Sequence, residues 1–125
     1  GVLSGLLELR KHAGAMVPGP VQDAMTVALA DQAHVEQQRG RYLRRREILR
    51  PALEQAGFRV EHSQGSLYLW ATRDEDCRQS VAWLAERGIL VAPGDFYGAE
   101  SGRFVRVALT ASDERIESAA ARLIS

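Results

Sequence analysis

The sequence predicts an α+β fold, with a small sheet of about four strands packed against helices and preceded by a long linking helix. Three observations predict it. A single apolar stripe at helical spacing runs through residues 21–56. Beyond Gly57 the period changes, and FRVEH, SLYLWAT and FVRVALT alternate every second residue as strands do. Two further helical patterns, residues 76–88 and the run from Ser112, lie among and after these strands.

In order along the chain, LSGLLELRKH (3–12) carries Leu3, Leu6, Leu7 and Arg10 at helical spacing and stops at Ala13-Gly14, so it predicts a short helix. Pro18 and Pro20 around Gly19 force an extended connector, and Pro20 suits the first turn of a new helix. Val21, Met25, Ala28, Val35, Tyr42, Leu49, Leu53 and Ala56 then trace the stripe of the long helical run. Gly57 is its stop, and Gly40 and Pro51 are the positions expected to bend or divide it. Two strands follow around the turn Ser63–Gly65. DCRQSVAWLAERG (76–88) places Cys77, Val81 and Leu84 on one face of a helix. ILVAP predicts a short buried strand, PGDFYGAESG a loop and FVRVALT another strand. The final helix is capped by Ser112 and buries Ile116, Ala119, Ala120 and Leu123.

With 125 residues the chain has room for one domain with a real core and an appended arm. Sixteen basic and sixteen acidic side chains cancel, so no net field draws it to nucleic acid or a membrane. It has one cysteine, no spanning apolar run and no signal peptide pattern, which together predict a cytoplasmic protein. A start at Gly1 without methionine, and apolar residues there with no partner element before them, predict that the chain is part of a longer protein.

Most candidate chemistry yields to a plainer reading. His12, His34 and His62 are far apart in sequence and have no paired ligand, so no metal is expected. Cys77 opens a helix but lies on its apolar stripe, which favours a buried thiol over a reactive one. The run RGRYLRRREILR holds six arginines, but helical geometry spreads them around the cylinder rather than along one phosphate-binding face. Lys11, the only lysine, is the only possible Schiff-base former, yet ELRKH reads as an exposed helix.

Arg106 is different. Alternation in FVRVALT places it with Phe104 and Ala108 on one face, and a guanidinium on a half-apolar strand face needs an anion. Tyr68, Phe96 and Tyr97 could line a cleft with it that accepts a carboxylate, because the planar fork of arginine matches two carboxylate oxygens. A cross-strand ion pair to Glu61 or Asp95 would satisfy it equally well.

RKHAGAMVPGPVQDAM, the long helix, GSLYLW, AERGILVAPGDFYG and FVRVALTASDERIESAAARL together resemble the C-terminal portion of the fold-type I, pyridoxal phosphate-dependent aminotransferases. Within that family the overall likeness is to the actinobacterial N-succinyldiaminopimelate aminotransferases, enzymes of lysine biosynthesis. The resemblance covers essentially the whole chain. It implies that residues 1–20 are the end of a large domain and a loop toward the partner subunit of a homodimer, and that residues 21–125 are the linking helix and small domain. It also implies that Arg106 grips the substrate α-carboxylate and that Tyr68 and Phe96 lie near it. The cofactor would be held by a large domain absent here, which would leave the isolated piece inactive. The implied substrates are amino and oxo acids: glutamate as donor and N-succinyl-2-amino-6-oxopimelate as acceptor. The alternative from another class is a free-standing α+β module that binds an amino acid and regulates a partner.

Overall fold

The computed structural model describes residues 1–125. It forms two compact units, Gly1–Gln37 and Gln38–Ser125, and the boundary falls within a helix.

The first unit holds α1 (Val2–His12), α2 (Gly19–Ala30) and the start of α3 (Gln32–Gln55). Pro18 is extended, at φ −58° and ψ 145°, and α2 starts directly after it, with Pro20 in the first turn where its missing N–H costs nothing. The long helical run is divided, as expected, but at Asp31; α3 continues unbroken through Gly40 and Pro51. The cause is capping. Asp31 leaves helical geometry at ψ 78°, and its carboxylate accepts a 2.9 Å hydrogen bond from the His34 amide, starting a new helix. Farther on, Leu49, Ala52 and Leu53 are buried on either side of Pro51, and this packing holds the last turns in place. The expected stripe is buried only in its later part: Val21, Met25 and Val35 remain exposed in this chain, as do Leu3, Leu6 and Leu7 of α1.

In the second unit, β1 (Arg59–Glu61), β2 (Tyr68–Thr72), β3 (Ala92–Pro93) and β4 (Phe104–Ala108) form an antiparallel sheet in the order β1-β2-β4-β3. Gly57, at φ 87°, ends α3; the Phe58 amide returns to the Leu53 carbonyl at 2.9 Å, turning the chain into β1. Leu69 and Ala71 of β2 and Val105 and Val107 of β4 point to one face. There they meet Leu49 and Leu53 of α3, Cys77 and Leu84 of α4 (Cys77–Glu86), and Ile116 and Leu123 of α5 (Asp113–Ile124) in one core. The ILVAP strand shrinks to Ala92–Pro93: it lies at the sheet edge, and Pro93 has no N–H to extend a ladder. PGDFYGAES folds into two short 3-10 turns, Gly94–Tyr97 and Ala99–Ser101.

Because every helix of this core covers the same face, the period of two leaves Tyr68, Trp70, Phe104, Arg106 and Ala108 together on the other.

Candidate functional site

Arg106 occupies the middle of β4, flanked in register by Trp70 of β2 and Ala92 of β3. It forms no ion pair. The two acids that could have neutralised it are engaged elsewhere: Glu61 with Arg59, and Asp95 with Arg78 through paired bonds of 2.8 and 3.0 Å. The Asp95 hydrogen bond pushes the Arg78 guanidinium above its ordinary pKa. Arg106 is instead held by rings. Its guanidinium carbon lies 4.3 Å from the centroid of Tyr68 and 5.3 Å from that of Tyr97, within cation–π range of both. Its Nε is buried and has no hydrogen-bond partner.

Aromatic side chains extend this arrangement along the open face. Trp70 stacks on Phe104, with centroids 5.3 Å apart and an interplanar angle of 11°, and meets Tyr97 edge-on at 5.8 Å and 81°. The turn that carries Tyr97 is fixed by close approach, since a Cβ on Gly94 would overlap the carbonyl oxygens of Ser101 and Phe104.

The structure therefore brings Arg106 and Tyr68 together and sets Phe96 apart. Phe96 is 69 % exposed and lies under the guanidinium of Arg78, at 5.1 Å; the next residue, Tyr97, is the one beside Arg106. Trp70 was not singled out by sequence reasoning, although the alternation in SLYLW places it on the same face as Tyr68.

Other candidates bring no chemistry together. Cys77 is buried in the core, and no group of three or more histidine, cysteine, aspartate or glutamate side chains could hold a metal. No helix is long and apolar enough to cross a membrane. A cleft of about 450 Å³ lies among Leu53, Ile89, Val107, Ile116 and Leu123. At its rim Arg122 is committed to the carbonyls of Arg87 and Gly88.

The family model "Aminotransferase class I and II" matches residues 2–123. This chain belongs to that aminotransferase family. It is 62% identical over 122 residues to the "Probable aminotransferase Rv1178" of Mycobacterium tuberculosis, covering 98% of this chain and 29% of the relative. It is 62% identical over 130 residues to the "4-dedimethylamino-4-oxo-anhydrotetracycline transaminase OxyQ" of Streptomyces rimosus, with coverages of 98% and 36%. An "LL-diaminopimelate aminotransferase" of Oleidesulfovibrio alaskensis is 32% identical over 128 residues, with coverages of 99% and 33%. Among solved structures, an aminotransferase from Staphylococcus aureus superposes with a TM-score of 0.80 at 31% identity, covering 94% of this chain and 32% of that one. The chain thus spans about a third of the length of the curated relatives it matches.

Class I and II aminotransferases depend on pyridoxal phosphate. The residues of this aminotransferase segment do not fit a site for it. Lys11, the only amine side chain, is exposed on α1 and bound to Glu8 at 2.6 Å.

Proposed function

We propose that this chain is the small domain and linking region of a pyridoxal phosphate-dependent aminotransferase, and that Arg106 grips the α-carboxylate shared by its amino-acid and oxo-acid substrates. The observation that carries the proposal is an arginine with no acidic partner, set between two tyrosine rings on an otherwise open sheet face. Both rings lie within cation–π reach of the guanidinium, and its planar fork of N–H donors matches a two-pronged anion. Tyr68 belongs to this site. The resemblance places Phe96 near it as well, but the geometry favours Tyr97. Pyridoxal phosphate, held by the rest of the parent enzyme, would supply the amino-transfer chemistry. The residues of this chain bind and orient the carboxylate end.

In this reading residues 1–20 finish the large domain and approach the partner subunit of a homodimer, residues 21–125 form the linking helices and small domain, and the enzyme works in the cytoplasm. Glutamate is the proposed donor and N-succinyl-2-amino-6-oxopimelate the proposed acceptor, a reading supported by the overall likeness and by the diaminopimelate aminotransferase among the relatives. The tetracycline transaminase among them makes the acceptor the finer question.

Two measurements on the full-length holoenzyme test this. A panel of oxo acids with glutamate as donor should rank the succinylated acceptor first, and a higher kcat/KM for another acceptor would reassign the substrate. Arg106→Lys keeps the charge and loses the fork, so it should cost about 2–4 kcal/mol in both half-reactions, the range for damaging a desolvated charge pair. A variant that melts earlier but turns over normally would show Arg106 to be structural.

A further inference from the structure

We propose that Trp70 is a positioning residue for Arg106, acting through Tyr97. The proposal rests on the carboxylate-anchor reading above.

A long, flexible guanidinium can present its fork in one orientation only if something removes its rotamer freedom, and hydrogen bonds do not do so here: Arg106 has no ion pair and its Nε has no partner. The two tyrosine rings are what remain. Tyr68 stands on β2 within the sheet, whereas Tyr97 sits on a 3-10 turn and is 49 % exposed. The backbone of that turn is fixed by Gly94 and by the Asp95–Arg78 pair, but neither constrains the ring of Tyr97. Trp70 does, its ring nearly perpendicular to that of Tyr97 with centroids 5.8 Å apart. Trp70 in turn lies flat on Phe104, which comes from the same strand and face as Arg106. The row Phe104–Trp70–Tyr97–Arg106 thus ties the guanidinium back to its own strand through three rings. Trp70 stands opposite Arg106 in register but holds it at one remove.

The test uses the full-length holoenzyme and compares Trp70→Leu, Trp70→Phe and Tyr97→Leu, each alone and with Arg106→Lys. Loss of the Trp70–Tyr97 contact should raise KM for donor and acceptor by a common factor of about three to ten. The kcat should stay within about twofold, because binding at the carboxylate serves ground and transition states alike. Trp70→Phe should recover most of the loss. Tyr97→Leu, which also removes the ring 5.3 Å from the guanidinium, should raise both KM values at least as much, and adding Trp70→Leu to it should cost nothing more. In the Arg106→Lys background the Trp70 effect should vanish. A lower melting temperature with unchanged KM, or an equal KM increase in the Arg106→Lys background, overturns the proposal and leaves the anchor standing. An Arg106→Lys enzyme with both KM values unchanged removes the anchor and this proposal together. Should Trp70→Leu fail to fold, the comparison is read from Tyr97→Leu, and wild-type KM values there overturn the proposal.

Discussion

Arg45 of α3 donates from Nε to the carboxylate of Asp113 at 2.5 Å, joining the helix that leads into the sheet domain to the first turn of the helix that ends it. A second bond from Arg45, 3.0 Å to the Leu109 carbonyl, fixes the end of β4 at the same point. The Arg45 hydrogen bond is the main reason that the Asp113 carboxyl sits below its ordinary value of 3.8, and Arg44 and Arg41 add to it through charge. The position of Asp113 in the first turn of α5 favours the anion as well.

A depressed folded-state pKa stabilises the protein above the unfolded pKa, and that stabilisation is lost as pH falls through the folded value. Asp113→Asn should therefore be less stable than wild type at pH 7, and the gap should close as the pH is taken below about 3.8. Urea melts at several pH values check this; a gap that widens on acidification would contradict it. Asp113 is exposed, so the effect should also shrink in high salt.

Arg46, the next residue, serves the turn between β1 and β2. Its guanidinium donates to the carbonyls of Ser63, Gly65 and Ser66, the last two at 2.6 and 2.8 Å. The segment needs such a clamp, because His62 and Ser66 both have positive φ, 47° and 74°, which side chains other than glycine tolerate poorly. Ser63 passes the constraint on, since its Oγ accepts from the Trp70 amide at 3.0 Å. Arg46→Ala should cost about 2 kcal/mol, the scale for hydrogen bonds from a charged donor, of which the one to Ser63 is partly buried. Hydrogen exchange should quicken first at residues 62–67, and uniform quickening across the sheet would argue against a local clamp.

These two arginines show which parts of the molecule were legible in sequence. RGRYLRRREILR reads as a charged helix face, and that reading could not say which arginines would be structural: Arg45 and Arg46 find partners 64 to 68 and 17 to 20 residues away. Periodicity located α4, α5, β1, β2 and β4, because it reports which face is buried. It did not locate the break in the long helix, where a side-chain cap at Asp31 prevailed over the weaker signals of Gly40 and Pro51. The open face of β4 was legible in the same way, which put Arg106 with Phe104 and Ala108; Tyr68 beside it was what the resemblance implied, because alternation does not give the register between strands. The identity of the other ring beside Arg106 was not legible, because Phe96 and Tyr97 are consecutive residues of a 3-10 turn and their directions depend on the phase of that turn.

Gly94 sets that phase. Adding a methyl group there would drive it into the backbone carbonyls of Ser101 and Phe104, which cannot move aside as the end of a flexible side chain can. Gly94→Ala should therefore destabilise by about 1–3 kcal/mol, the usual cost of overpacking. It should also displace the turn carrying Tyr97. Crystallography or the chemical shifts of the Tyr97 ring would show the displacement, and an unaltered ring with full stability would mean that the turn is less constrained than its geometry indicates.

The last prediction separates the two neighbouring rings. Phe96 is mostly exposed and contacts Arg78, which Asp95 already holds, so its removal leaves both the Arg106 side chain and the core as they are. Phe96→Ala should change stability by no more than about 0.5 kcal/mol, as surface truncations do. If the carboxylate lies at Arg106 with Tyr68 and Tyr97 as its flanks, Phe96→Ala should leave KM for donor and acceptor unchanged in the full-length holoenzyme, while Tyr68→Leu weakens both. Removing a cation–π partner at a partly desolvated site is worth about 1–2 kcal/mol, which corresponds to a several-fold to thirtyfold change in binding. The contrast does not depend on which oxo acid is used, because every substrate carries the same carboxylate. A loss of affinity in Phe96→Ala equal to that in Tyr68→Leu would mean that the Gly94–Tyr97 turn rearranges when substrate enters, bringing Phe96 to the anchor in place of Tyr97.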